Sequence, residues 1–96
     1  MPFHIVLAPE AIEDLARLKA TVRSTVKAAM ETHLRQEPEK ISRSRIKRLR
    51  GLSQPQYRLR VGEIRVFYDV VDGVVEILAV VSKSETASWL AQFGKP

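Results

Sequence analysis

The stretch that decides the fold runs Tyr57-Arg58-Leu59-Arg60-Val61-Gly62-Glu63-Ile64-Arg65-Val66-Phe67-Tyr68. Its side chains alternate with a period of two, which is typical of β-strands. The pair Gly62-Glu63 interrupts the alternation and predicts a tight turn between two antiparallel strands. Such a turn pairs Arg60 with Arg65, while Arg58 lies two residues before Arg60 and therefore on the same face. We expect three arginines side by side on one face of a sheet.

The N-terminal half of the chain predicts a strand followed by two helices. Residues 3–7 are apolar and β-prone, and Pro9 stands where a helix begins. Thr21 is a candidate cap for a second helix, which Pro38 closes, so that the two helices form an antiparallel hairpin. Residues 39–56 are basic and look irregular or only briefly extended.

The C-terminal half predicts a third strand and a last helix. Asp72-Gly73 is a strong hairpin signal, and residues 74–81 are apolar on both faces, as in a central, covered strand. Ser82 and Glu85 form a capping box that begins the last helix. The predicted fold is therefore α+β, an antiparallel sheet with an N-terminal helical hairpin and a C-terminal helix (β-α-α-β-β-β-α), in a single domain spanning residues 1–96.

Positive charge is concentrated in the middle of the chain. The net charge is +5, yet residues 1–39 sum to −1 and residues 66–96 to −2. Residues 40–65 carry nine basic side chains against Glu63 alone. An excess of this kind favours a nucleic acid or an acidic protein as partner. Guanidinium groups suit phosphate because their planar fork binds two oxygens at once.

Several classes of protein fit this sequence poorly. It has no cysteine, which excludes a disulfide framework and thiolate metal sites and suits a cytoplasmic protein. No apolar run approaches the roughly 20 residues of a membrane span, and residues 1–7 lack the pattern of a signal peptide. His4 and His33 form no metal-ligand set. We expect no metal, no cofactor and no membrane association.

The motif at residues 57–68 resembles the central motif of the RelE/ParE toxin superfamily, and residues 47–52 match the segment that precedes it. The resemblance extends over nearly the whole chain and implies a toxin of a type II toxin–antitoxin pair. RelE-type members cleave mRNA in the ribosomal A site without a metal, whereas ParE-type members act on DNA gyrase. Both types are neutralised by a small antitoxin protein, and operator DNA is contacted only through the toxin–antitoxin complex.

The resemblance also implies a site. Arg58 and Arg60 match the basic positions on the RelE strand, and Arg65 matches the arginine on the next strand. The basic stretch that precedes them is a candidate RNA-binding segment, with Arg45, Lys47, Arg48 and Arg50 as its contact residues. The alternative for the three strand arginines is a solvated sheet face. The alternative for the basic stretch is a solvated loop.

The other half of the family site departs from the pattern. Active members carry an arginine and then a tyrosine after the last strand, and this chain has Ser84 and Leu90 there. Lys83 and Trp89 are each one residue away. We take Lys83 as the candidate for proton transfer, because neighbouring arginines push the pKa of a lysine down. The alternative for Lys83 is a solvated helix lysine. Trp89 is a candidate for stacking on an RNA base, and its alternative is packing on the sheet.

Three functions follow as hypotheses. The first is a ribosome-dependent mRNA endonuclease that inhibits translation. The second is a non-enzymatic toxin that inhibits gyrase, which the residues at positions 84 and 90 favour. The third is an inactive member that retains only antitoxin binding. The ribosome and mRNA are partners under the first hypothesis, and a cognate antitoxin is a partner under all three.

Overall fold

Residues 2–96 fold into one five-stranded sheet with two helices on one face and a third helix on the other. The computed structural model describes residues 2–96. In chain order its elements are β1 (His4–Leu7), α1 (Pro9–Arg17), α2 (Ala20–Leu34), β2 (Ile46–Arg48), β3 (Tyr57–Val61), β4 (Ile64–Val71), β5 (Val74–Ser82), a 3-10 turn (Lys83–Glu85) and α3 (Thr86–Phe93). The predicted α+β class is confirmed.

The sheet has the strand order β1-β5-β4-β3-β2. Strands β3 to β5 pair antiparallel, as expected, and β2 joins them antiparallel to β3, but β1 lies parallel to β5 and makes the sheet mixed. The backbone N–H of Ala8 extends this junction by donating to the carbonyl of Ile77 at 2.9 Å. Strand β2 is an addition to the predicted topology, because three residues are too few to show an alternating pattern.

The β3–β4 hairpin has the register that its sequence predicts. Gly62 adopts a φ of +58°, a value that suits glycine, and is the first residue of the tight turn. Val61 pairs with Ile64, and Arg60 pairs with Arg65. The prediction of three arginines on one face is therefore confirmed at the level of the backbone.

The hydrophobic core lies between the sheet and the helices α1 and α2. The sheet contributes fully buried side chains from β3, β4 and β5, and the helices contribute theirs at helical spacing. Its members include Leu59, Val66, Tyr68 and Ile77 from the sheet and Leu15, Val26, Met30 and Leu34 from the helices. This face of the sheet is dry, so the arginines must occupy the opposite face.

The two N-terminal helices are joined differently from the prediction. Thr21 is not a cap, because α2 already begins at Ala20 and no side chain caps its first turn. The end of α1 is instead capped by Arg23, whose guanidinium donates to the carbonyls of Leu15 and Leu18 at 2.9 and 2.8 Å. A cation at a helix C-terminus also suits the helix dipole.

A buried carboxylate holds the loop before β3. Asp69 accepts hydrogen bonds from the Gln54 side chain at 2.6 Å and from the backbone N–H of Gln56 at 2.8 Å. The side chain of Gln56 in turn accepts the N–H of Val70. Backbone bonds in both directions then connect Gln54 to Lys95, so this loop also anchors the C-terminus.

The last helix begins at the predicted capping box. Ser82 and Glu85 form the capping box, although the turn they close is a 3-10 turn and α3 follows it. Gly94 ends α3, and a Cβ at this position would lie 2.6 Å from the carbonyl oxygen of Leu90. Trp89 stacks on Phe67 with ring centroids 5.0 Å apart, which confirms that the tryptophan packs on the sheet.

The Tyr68 hydroxyl is expected to matter for stability. It is buried and donates to the carbonyl of Pro38 at 2.6 Å, so Tyr68→Phe leaves a buried acceptor unpaired. We expect a loss of about 1–3 kcal/mol in the free energy of unfolding, measured by urea denaturation. The control is Tyr57→Phe, whose hydroxyl is 3.5 Å from Glu39 and should change stability by less than about 0.5 kcal/mol. Equal losses in both variants would contradict this account.

The Asp69 carboxylate is expected to hold the C-terminus through the loop before β3. Asp69→Asn replaces one acceptor by an amide N–H₂ that faces a donor, and we expect a loss of about 1.5–3 kcal/mol. Hydrogen exchange at the Lys95 N–H should accelerate with it. The control is Asp72→Asn in the β4–β5 turn, where asparagine tolerates the φ of +48°. Unchanged exchange at Lys95 would show that the loop does not depend on the carboxylate.

Candidate functional site

The centre of the candidate site is a pair of arginines that face each other across β3 and β4. The N–H of Arg60 points away from β4 and donates to the carbonyl of Arg45 at 2.8 Å. Arg60 and Arg65 therefore form a non-hydrogen-bonded pair, the arrangement in which opposite Cα atoms approach to about 4.5 Å and side chains are closest. Like charges in this position destabilise a sheet unless an anion compensates them.

Arg65 is held in one orientation. It is only 7% exposed, and its Nη1 donates to the carbonyls of Gly62 and Ile64 at 2.7 and 3.1 Å. The two acceptors belong to the turn that creates the Arg60–Arg65 pair. The hairpin thus fixes both the position of this guanidinium and the direction in which its remaining donors point.

Arg58 is partly buried, and its Nε is enclosed with no hydrogen-bond partner among residues 2–96. Burial lowers the pKa of Arg58, and the positive charges of Arg65 and Arg60 lower it further. All three causes disfavour the charged form, so an anion at this place would relieve each of them. A guanidinium nevertheless stays protonated at physiological pH.

No carboxylate neutralises these arginines within the described part of the chain. The ion pairs of residues 2–96 involve Arg17, Arg35 and Lys40 instead. Asp69, which shares the face, is buried and accepts hydrogen bonds from Gln54 and Gln56. The arginine face, which we define as Lys47, Arg58, Arg60 and Arg65, keeps its positive charge for an external anion.

The four predicted RNA-contact residues separate in space. Lys47 pairs with Arg58 and so belongs to the arginine face. Arg48 pairs with Tyr57 on the other face, and its guanidinium lies 5.2 Å from the centre of that ring. Arg45 turns to α2 and donates to Nε2 of His33 at 2.7 Å, while Arg50 is exposed in a turn.

Lys83 follows β5 at the same end of the sheet as the arginine pair. Its backbone N–H donates to the carbonyl of Glu63 at 2.7 Å, which ties it to the β3–β4 turn. The Lys83 side chain is exposed. Glu85 is less suited to proton transfer, because hydrogen bonds from Ser82 lower the pKa of its carboxyl. The capping box thus explains Glu85, as the sequence suggested.

Ser84 and Leu90, at the two positions where the family pattern is broken, do not reconstruct the missing groups. The Ser84 hydroxyl lies 3.1 Å from that of Ser82, and Leu90 is half-buried in α3. Trp89, one position earlier, stacks on Phe67. Phe67 itself was not singled out from the sequence, although alternation with Arg65 places it on the same face. It forms the apolar floor next to the arginines.

Other kinds of site find little support in the described residues. His33 accepts its bond from Arg45, and desolvation together with that arginine lowers the pKa of the imidazole. Residues 2–96 contain no group of three or more His, Asp or Glu side chains placed to hold a metal ion. None of the helices found within that range combines the length and the apolar character needed to cross a membrane.

Comparisons with known proteins agree with this architecture. A chain of the RelBE2 toxin–antitoxin complex from Mycobacterium tuberculosis shares 25% identity and a TM-score of 0.73, over 85% of this chain and 92% of that one. A chain of the intact Escherichia coli RelBE complex shares 26% identity and a TM-score of 0.64, over 83% and 95%. A chain of the RelE–RelB complex from Pyrococcus horikoshii OT3, at 23% identity, 86% and 97% coverage and a TM-score of 0.71, shows the same fold. None of the curated proteins matches the sequence.

The assignment to a family rests on a sequence match that spans most of the chain. The family model described as the ParE toxin of the type II toxin–antitoxin system parDE matches residues 5–87. That range includes both strands of the arginine hairpin and the capping box, and it ends within the first turn of α3. The chain therefore belongs to the ParE toxin family of type II toxin–antitoxin systems, within the RelE/ParE superfamily.

Proposed function

We propose that this toxin is a ribosome-dependent mRNA endonuclease that inhibits translation in the cytoplasm. The observation that supports it best is the arginine face, where three guanidinium groups converge without a carboxylate partner in residues 2–96. A polyanion with closely spaced phosphates compensates such a cluster. The 25% identity to a chain of the RelBE2 toxin–antitoxin complex over 85% of this chain also supports a RelE-type activity.

The proposed role of the arginines is to bind the phosphate at the cleaved bond. In this reaction the 2′-oxygen attacks phosphorus and the 5′-oxygen leaves, so negative charge grows on the other phosphate oxygens. Donors that are already oriented stabilise that charge without reorganising. Arg65 is oriented by its two carbonyl acceptors, and Arg58 and Arg60 stand beside it.

Proton transfer needs a different residue. The 2′-hydroxyl must lose a proton and the 5′-oxygen must gain one, and guanidinium groups hold their protons too strongly for either exchange. Lys83 is our candidate, because its backbone is bound to the turn between Arg60 and Arg65. The reaction as proposed uses no metal and no cofactor.

The proposed partners follow from the same surface. A cognate antitoxin would cover the arginine face with acidic or apolar segments, and the similarity to chains of toxin–antitoxin complexes supports such a partner. Arg45, Lys47, Arg48 and Arg50 would contact flanking RNA or rRNA on both sides of the β2 edge. Operator DNA would be reached only through the complex with the antitoxin.

A second candidate function is inhibition of DNA gyrase. The matching family model is that of ParE toxins, and Ser84 and Leu90 replace the arginine and tyrosine that RelE-type cleavage uses. In this case the arginine face would bind an acidic protein surface, and the chain would need no proton-transfer residue.

The arginine face should be required for cleavage. We expect Arg58→Gln and Arg65→Gln each to lower the rate of A-site cleavage about 10²- to 10³-fold, the usual cost of one lost donor to developing charge. Primer extension on a translated message measures it. The control is Lys19→Gln with Lys27→Gln on the helices, a loss of two charges that should change the rate less than about threefold. Folded arginine variants that cleave like the wild type would refute the mechanism.

A supercoiling assay distinguishes the two candidate functions. If cleavage is the function, micromolar toxin leaves purified gyrase active and produces A-site cuts in the primer-extension assay. Lys83→Met should then reduce cutting at least tenfold, and Lys83→Arg should keep the charge without restoring cutting, because a guanidinium holds its protons too strongly to transfer them. Inhibition of gyrase without any cut would establish the second candidate instead.

A further inference from the structure

A groove lies along the outer edge of β5, between α1 and α3. β1 pairs with β5 only from Val74 to Ile77, so the rest of that edge has no strand from residues 2–96 beside it. The carboxylate of Asp14 accepts the N–H of Val80 at 2.9 Å and satisfies one donor of the edge. The remaining space has a volume of about 490 Å³.

The floor and one wall of the groove are apolar. Leu78 and Val81 line it from β5, and Trp89 and Phe93 line it from α3. Phe93 is 51% exposed, although it is an aromatic side chain in contact with another. A partner that covered these groups would gain roughly 25 cal/mol for each Å² of apolar surface removed from water.

The rim of the groove is acidic, in contrast to the arginine face. Four carboxylates and two cations line it, namely Glu10, Glu13, Asp14 and Glu85 with Arg17 and Lys95. Asp14 is bound to Arg17 and Val80, and Glu85 is bound to Ser82. Glu10 and Glu13 have no ion pair or side-chain hydrogen bond within residues 2–96. Two carboxylates on one side of a strongly basic protein are thus available to a partner.

We propose that this groove binds an amphipathic helix of a partner protein, with apolar residues on its buried face and Lys or Arg beside them. A slot between two helices with an apolar floor fits the helix-in-groove mode of recognition. The acidic rim selects the flanking charge, because an acidic helix would meet Glu10 and Glu13. The inference goes beyond the proposed function and does not depend on it.

The groove and the arginine face are adjacent, and they favour partner segments of opposite charge. Val81, in the groove, pairs with Arg65 across β4 and β5. A single partner that covered both would need an acidic segment over the arginines and a basic, apolar helix in the groove. Its charge pattern would then fix the direction in which it lies across the toxin.

The intrinsic tryptophan fluorescence of the toxin can report binding in the groove. Trp89 is the only tryptophan in the chain and lines the groove, so its fluorescence should respond when the groove is occupied. We would titrate the full chain with two synthetic helical peptides that share one apolar face and carry either Lys or Glu on its flanks. We expect a saturable change with the Lys peptide, weaker at high salt because the rim contacts are screened, and none with the Glu peptide.

Charge reversal on the rim tests the assignment. Glu10→Lys with Glu13→Lys should weaken binding of the Lys peptide at least about tenfold. The matched control is Glu37→Lys with Glu39→Lys, the same charge change after α2 and outside the groove, which should leave the affinity within about twofold. Phe93→Ser should weaken binding while the circular dichroism spectrum stays unchanged.

Three results would overturn the proposal. They are equal binding of both peptides, an equal loss in the control pair, and retention of affinity after reversal at Glu10 and Glu13. Sedimentation adds a fourth, since concentration-dependent self-association abolished by the Glu10/Glu13 variant would make a second copy of this chain the occupant. The cleavage and gyrase assays report on the arginine face and remain independent of these outcomes.

Discussion

The site depends on one constraint, the pairing register of β3 with β4. A two-residue turn at Gly62-Glu63 sets it, and the dry core behind the sheet enforces it. A shift of one residue would bury Arg60 and Arg65 and expose Leu59 and Val66, so the apolar face excludes it, and the length of the turn excludes larger shifts. The burial that stabilises the fold therefore also holds two like charges opposite each other.

Hydrogen bonds within the hairpin reduce the electrostatic repulsion between the paired arginines. The turn that creates the arginine pair also supplies the two carbonyls that bind Arg65, so one of the two guanidinium groups is partly compensated by dipoles. Arg60 remains exposed, and Arg58 keeps an enclosed Nε without a partner in residues 2–96. The repulsion that remains is electrostatic, and a bound anion would relieve it and stabilise the folded state.

The rest of the molecule separates opposite charges around α3. Asp69 fixes the loop that holds Lys95, and Trp89 rests on Phe67, so α3 lies across the sheet beyond the arginines. One side of the helix borders the arginine face and the other borders an acidic groove. A small protein can in this way present two neighbouring surfaces of opposite charge, one on a face of the sheet and one at its edge.

The sequence by itself determined the parts that depend on local pattern. These are the α+β class, the β3–β4 register, the Asp72-Gly73 hairpin, the Ser82–Glu85 box and the arginine cluster, because period, turn residues and caps act over a few positions. Only the tertiary structure decided the parallel β1–β5 pairing, the division of the basic segment between two faces and the groove beside β5. Each of these depends on contacts between residues far apart in the chain, and such contacts leave no periodic signal in either partner.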